Sequence, residues 1–199
     1  MKKLILSITL FAFLFPACKH DNEKQNEKKS IPYDLSQCVF LRNEKNSIGK
    51  LIKVLEKKKF MAIPFSDTSA KEYFHDNDFL KGYLSCVRVD TVMGIYFDFK
   101  IYSEDAFQIY GGIKKDNKIS FTLNSGKTIA LTFAKTFSGN TNLTKELTEY
   151  SSFVRLPKEI ALLLKDEEIT AVHIEWAKIK ESYSVENPAV FMKQIPCIE

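Results

Sequence analysis

Between Ile95 and Phe133 the apolar side chains fall on odd positions: Ile95, Phe97, Phe99 and Ile101, then Phe107, Ile109 and Ile113, then Ile119, Phe121, Leu123, Ile129, Leu131 and Phe133. A period of two belongs to strands that bury one face, whereas a helix repeats every 3.6 residues. The loops must then preserve parity, because a slip of one residue turns a whole strand inside out. Three-residue loops do so at each joint. Ser103-Glu104-Asp105 sets Ile101 opposite Phe107, and Lys115-Asp116-Asn117 sets Ile113 opposite Ile119. Asn124-Ser125-Gly126 sets Phe121 opposite Ile129, while a two-residue Ser125-Gly126 turn would set Leu123 against Thr128 and break the face. Asn117 and Gly126 suit the left-handed position that closes such a hairpin. The pattern predicts a four-strand antiparallel meander over residues 92–135.

The even-numbered face of that meander is mostly polar, with Asp98, Lys100, Lys114, Lys118, Ser120, Thr122, Thr128 and Thr132, so only one face needs covering. Covering elements are at hand. Ser47 to Lys58 carries Ile48, Leu51, Ile52 and Leu55 at helical spacing, and Ser69-Ala70-Lys71-Glu72 matches a capping box for a short helix reaching His75. Tyr83 to Val89 and Phe153 to Leu156 read as strands, and Pro157 opens a helix through Leu164. Ile169 to Trp176 reads as a strand with Val172, Ile174 and Trp176 on one face. Asn187 and Pro188 open a terminal helix, and 139–142 is a loop. The expected class is α+β, mainly antiparallel β: the meander stands in a sheet or sandwich with short covering helices.

The N-terminus carries a different message. Lys2 and Lys3 precede an apolar run from Leu4 to Phe15, followed by Pro16, Ala17 and Cys18. A basic head, a short hydrophobic segment and a small residue before a cysteine resemble the lipobox of bacterial lipoproteins. The resemblance implies a signal peptide over 1–17, cleavage before Cys18, a diacylglyceryl group on the Cys18 thiol and acylation of the new amino terminus. The apolar run is shorter than the about 20 residues that span a bilayer, so anchoring would rest on lipid. Lys19 to Ser30 has no apolar side chain, which makes 18–30 the lipidated cysteine and a disordered tether reaching roughly 20 Å. Residues 31–199 are then a single globular domain. Lys19, rather than an aspartate, follows the cysteine, which in this class implies the outer membrane of a Gram-negative envelope. The stretch Lys19-His20-Asp21-Asn22-Glu23 is similar to the charged export signals of some surface lipoproteins, so the domain would face the periplasm or the outside.

Charge excludes one class of partner. Without Lys2, Lys3 and the tether's four Lys, one Asp and two Glu, the domain holds 23 basic and 22 acidic side chains, a net of +1. No basic stripe remains to neutralise phosphates, so nucleic acid is not an expected partner. Cys38, Cys86 and Cys197 would share an oxidising compartment, where three different single bridges are possible, or none. No two are spaced as metal ligands.

Few residues suggest chemistry. His20 falls in the tether, and His173 stands on an outward face beside Glu175. His75-Asp76-Asn77-Asp78 looks metal-like, but Lys81 and Val87 stand where a calcium loop needs glycine and glutamate, so no metal site is assigned. No glycine-flanked serine elbow and no Gly-rich phosphate loop is present, and no cofactor is implied. On the polar sheet face the expected register sets Tyr110 opposite Asp98 with Tyr96 diagonal to it and Tyr102 further along the strand. These four are the candidate ligand-binding residues, since ring faces beside a carboxylate suit sugars or peptide side chains. Tyrosines that merely cover a sheet beneath a helix or loop would look the same. The resulting expectation is a lipid-anchored, non-catalytic module binding a glycan or protein. The alternatives are a small envelope hydrolase using His75 or a cysteine, and a periplasmic inhibitor or immunity-type lipoprotein.

Overall fold

The structure is a computed structural model that describes residues 37–199. The expected signal peptide over 1–17 and the expected lipidated Cys18 and tether over 18–30 lie outside the described residues. From its start the described chain runs through β1 (Phe40–Lys45), β2 (Leu51–Leu55), β3 (Lys58–Pro64), α1 (Thr68–Phe74), β4 (Asp78–Val89) and β5 (Val92–Ile101). It continues through α2 (Ala106–Tyr110), β6 (Lys118–Leu123), β7 (Thr128–Thr132), β8 (Asn140–Asn142) and β9 (Leu147–Arg155). It ends with α3 (Lys158–Asp166), β10 (Ile169–Glu175), β11 (Lys180–Ser184) and α4 (Val190–Ile198).

Two antiparallel sheets result. The first has the order β1-β2-β4-β5-β9-β8, with β3 also on β4. β4 is long enough for both neighbours, β2 lying along Val87–Val89 and β3 along the stretch from Asp78 to Leu84. The second has the order β11-β10-β6-β7. Single antiparallel bridges join the sheets at both seams, Phe133 to Val154 and Met61 to Val185. Ala134 N–H donates to Phe153 O and Glu186 N–H to Phe60 O, both at 2.9 Å. The ladder therefore passes around eight strands, a number whose enclosed space side chains can fill. They do fill it. Phe97 stacks near Phe99 and Phe121, and Trp176 meets Phe99, Tyr110 and Tyr150 edge-on at 5.0–5.3 Å.

The expected class, mainly antiparallel β with a few short helices, is the one observed. Parity holds where it concerns burial: Ile95, Phe97, Phe99, Ile101, Ile119, Phe121 and Phe133 are all fully buried. The β6–β7 hairpin has the expected register, Phe121 opposite Ile129, and Gly126 takes the left-handed turn position at φ 82°. In β10 a bulge between Ile169 and Ala171 moves the buried set from odd to even, giving Ile169, Val172 and Ile174.

The four-strand meander over 92–135 is corrected. β5 pairs with β4 and β9, while β6 and β7 belong to the other sheet. Between them residues 106–110 form a helix, because Ala106 and Tyr110, four apart, bury a common side while Phe107 and Ile109 remain exposed. Alternation over five residues served a helix lying at the end of the core. Ile113 bridges Phe137 instead of Ile119, and Asp116 rather than Asn117 is left-handed. Asn117 instead donates to the carbonyls of Glu175 and Trp176.

The helix over Ser47–Lys58 is corrected to a turn followed by β2. The Asn46 side chain accepts from Ile48 N–H and Lys50 N–H, and Gly49 is left-handed at φ 78°, which closes a β1–β2 hairpin. α1 is present but is capped by Asp67, which accepts from Ser69 N–H, and ends at left-handed His75. α3 follows Pro157 as expected, and α4 begins at Val190, just beyond Pro188. Residues 140–142 form a short strand on β9 rather than a loop. Cys38 and Cys197 are bonded, with Cα atoms 5.7 Å apart, and Cys86 is a free, buried thiol.

Candidate functional site

The outward face of the first sheet gathers polar groups that are exposed or part-buried, apart from Ser85, which is buried and donates to Leu55 O. Tyr96, Asp98 and Lys100 of β5 face Ser85, Tyr83 and Lys81 of β4 on one side. On the other side they face Phe153, Ser151 and Glu149 of β9. Asp98 is the centre of this grid. Its carboxylate accepts from Ser151 Oγ and pairs with Lys57 Nζ at 2.7 Å. Lys57 reaches it from the two-residue break between β2 and β3. Lys57, Tyr83, Asp98, Lys100, Glu149 and Ser151 line an open groove of about 560 Å³.

An aromatic pair continues the face. Tyr96 is 48% exposed and tilts against Phe153, with ring centroids 5.0 Å apart. Glycine at position 94 makes room for this. A Cβ there would come within 2.2 Å of the Phe153 ring, so Gly94 lets that ring lie flat across the sheet.

The four residues predicted for the site divide. Tyr96 and Asp98 are on this face. Tyr102 is further along it, but its hydroxyl donates to Asp76 at 2.9 Å and its ring packs against Phe65 and Phe74. Tyr110 is not there. It sits in α2, almost wholly buried, edge-on to Trp176 at 5.0 Å. The slot opposite Asp98 is filled instead by Tyr83, from the preceding strand. The two-residue Asp90-Thr91 turn between the strand at Tyr83–Val89 and the one beginning at Val92 was the signal that would have found it. Lys57 and Ser151 had no such signal, being brought in by the two-residue connection from β2 to β3 and by a distant strand.

The metal-like run is occupied by protein groups. Asp76 accepts from Asp78 N–H, from Tyr102 Oη and from Lys81 Nζ. Burial acts to raise its carboxyl, but these donors outweigh it and hold it below the usual carboxylate range. Burial, then the bond to Asp76, pushes the Tyr102 hydroxyl up to about 12. Asp78 pairs with Lys59, which also pairs with Glu186 at 2.8 Å. Among the described residues no three His, Cys, Asp or Glu side chains converge as metal ligands.

The other candidates for chemistry are dispersed. The Cys86 thiol is fully buried and desolvation drives it well above its ordinary range, so it is a poor nucleophile. His173 lies between Ser182 Oγ at 2.7 Å and Thr122 Oγ1 at 3.1 Å, while its expected neighbour Glu175 pairs with Lys180. The groove offers the Tyr83 ring, charged groups and hydroxyls, and the Tyr96–Phe153 ring pair lies beside it on the same face. Comparison with family models, with curated proteins and with solved structures finds no match to the chain.

Proposed function

We propose that this chain is a lipid-anchored envelope lipoprotein whose domain binds a saccharide on the outward face of its first sheet. The observation that carries the binding assignment is the grid around Asp98: an exposed Tyr96 ring on Phe153, Tyr83 beside it, and a groove with carboxylate, ammonium and hydroxyl groups. Sugars present apolar C–H faces and a dense set of hydroxyls, and rings bordered by fixed donors and acceptors complement both. The anchor assignment rests on the segment from Lys2 to Cys18, and the tether from Lys19 to Ser30 would hold the domain off the outer membrane, on its periplasmic or surface side. The role is a non-catalytic one.

Two experiments test this. The mature N-terminal peptide should begin at an acylated Cys18, and Cys18→Ser should abolish fatty-acid incorporation and release the protein from membranes. In a glycan array the wild type should retain a defined class of saccharide, and Tyr83→Ala with Tyr96→Ala should lose it without loss of folding. Equal retention by the double variant rejects the groove as the site. A protein ligand is the second reading. It is favoured by Phe107, Ile109 and Phe137, which are 36–49% exposed in the segment from α2 to β8, as an apolar docking patch requires.

A further inference from the structure

Among the described residues strand β1 is one of the two outermost strands of the first sheet, β8 being the other. Strand β1 pairs with β2 on one side, and among the described residues nothing pairs with its other side. Five of its six residues are exposed, so it stands out from the core as half of a hairpin. The direction of its free backbone groups follows from the turn. Asn46 N–H donates to Lys50 O, a pair on the same register as Glu44 with Ile52 and Arg42 with Val54. Hydrogen-bonded pairs alternate along an antiparallel ladder. Arg42 and Glu44 therefore turn their backbone groups toward β2, and Asn43 and Lys45 turn theirs to the open edge. Such an edge is a template for another strand unless something blunts it.

The sequence on that edge is complementary to itself. If a second copy lies antiparallel with Asn43 opposite Asn43, the two free N–H and C=O groups of each Asn43 meet as a hydrogen-bonded pair. Arg42 then falls opposite the second copy's Glu44, and Glu44 opposite its Arg42. These are non-hydrogen-bonded positions, where cross-strand side chains come closest. Arg42 already holds Glu44 within its own strand, at 3.0 Å from Nε. Pairing would join two such ion pairs into a square of alternating charge. Sliding the second copy by two residues in either direction, the nearest shift that keeps edge-facing backbone groups opposite one another, opposes Arg42 to Arg42 or Glu44 to Glu44. Charges on an edge ordinarily repel a second strand; here their order accepts one orientation and register.

We infer that β1 is a self-association edge: two copies of this chain pair antiparallel through it, with a two-fold axis at Asn43, and continue the first sheet across the dimer. The contact uses a different surface from the groove around Asp98 and stands independently of the saccharide assignment. A single strand pair buries little area, so the association is a weak one, strengthened wherever copies are held together on a common membrane.

The test uses the full chain carrying Cys18→Ser, so that neither lipid nor that thiol contributes. With Asn43→Cys added, the two introduced thiols meet at a Cα separation of about 5.5 Å, within disulfide reach. Mild oxidation should give a covalent dimer. Lys45→Cys should not, because copies of position 45 are offset by four residues, or about 13 Å along the strands. Sedimentation equilibrium should find the self-association constant of Arg42→Glu lowered about tenfold, and that of Arg42→Glu with Glu44→Arg restored. Absence of the Asn43→Cys dimer overturns the proposal, as does equal cross-linking at position 45. So does an Arg42→Glu variant that associates like its parent.

Discussion

Asp76 carries three donors on one carboxylate, and each of them binds the ionised form more tightly than the protonated one. Its ordinary value is near 3.8 and its folded value is lower. As pH falls between the two, the unfolded chain takes up the proton first, so the stability this residue contributes is present above 3.8 and is lost below it. Tyr102, its partner, is displaced the other way, from 10.0 to about 12. Its contribution is complete below 10.0 and disappears as pH rises toward about 12, because the unfolded chain releases its proton first. Denaturant unfolding across pH should therefore show Asp76→Asn less stable than wild type at neutrality and flatter on the acid limb. Tyr102→Phe should be flatter on the alkaline limb. Parallel pH profiles for wild type and both variants would refute the assignment. At this scale the sequence told which face a residue takes but not who faces it. Tyr96, Asp98 and Tyr102 share a face as parity requires. Alternation alone puts Tyr110 opposite Asp98 only if the next segment is also the next strand, and that place belongs to Tyr83.

Elements were legible where one face alone is buried and ambiguous where partners close in from two sides. β6 and β7 are of the first kind, and their hairpin was readable to the residue. β2 is of the second. It is flanked by β1 and β4 and also packs on α4, so neighbouring Leu51 and Ile52 are both part-buried, and two adjacent apolar residues mimic a helical stripe. One contact between α4 and the sheet could not be read from spacing, because a single polar side chain makes it. Gln194 is buried; its Oε1 accepts from Cys86 N–H at 2.7 Å and its Nε2 donates to Glu56 O at 3.0 Å. The glutamine thus supplies the ladder bonds missing where the chain breaks between β2 and β3. Replacing it by leucine, of similar size, leaves the buried Cys86 N–H and the part-buried Glu56 carbonyl without their partner. Gln194→Leu should cost about 2–4 kcal/mol in urea unfolding. An unchanged midpoint would mean that these groups find other partners and that the break is not pinned by α4.

Over the whole molecule the disulfide has the longest reach. Cys38 precedes β1 and Cys197 stands near the end of α4, with a sequence separation of 159. Three pairings were open from the sequence because cysteine spacing is silent about which strands enclose which thiol. The fold decides it by burying Cys86 within β4, its backbone N–H tied to Gln194. Several contacts converge with the bridge on the C-terminal segment. Lys53 Nζ donates to Cys197 O, Arg88 to Ile198 O, and Lys165 pairs with Glu199 at 2.8 Å. The bridge is therefore set where the fold already brings the two ends together, and most of its effect is on the unfolded chain, which loses the freedom of a very long loop. On the chain-entropy account that is worth about 5 kcal/mol, or about 10–20 °C in melting temperature for a domain of this size. Cys38→Ser with Cys197→Ser should melt lower by that order and still fold to the same circular-dichroism spectrum, since the rest of the hydrophobic core, in which Cys197 is a peripheral member, is unaltered. Thiol labelling separates this from a general weakening. Among Cys38, Cys86 and Cys197, the native protein should expose no reactive thiol, reductant should release two, and the third should react only on unfolding, at the rate of global opening. Rapid labelling of Cys86 in the native protein would show that β4 is not sealed beneath α4. A melting temperature indifferent to the paired substitution would show that the ends are held by the surrounding hydrogen bonds and ion pairs alone.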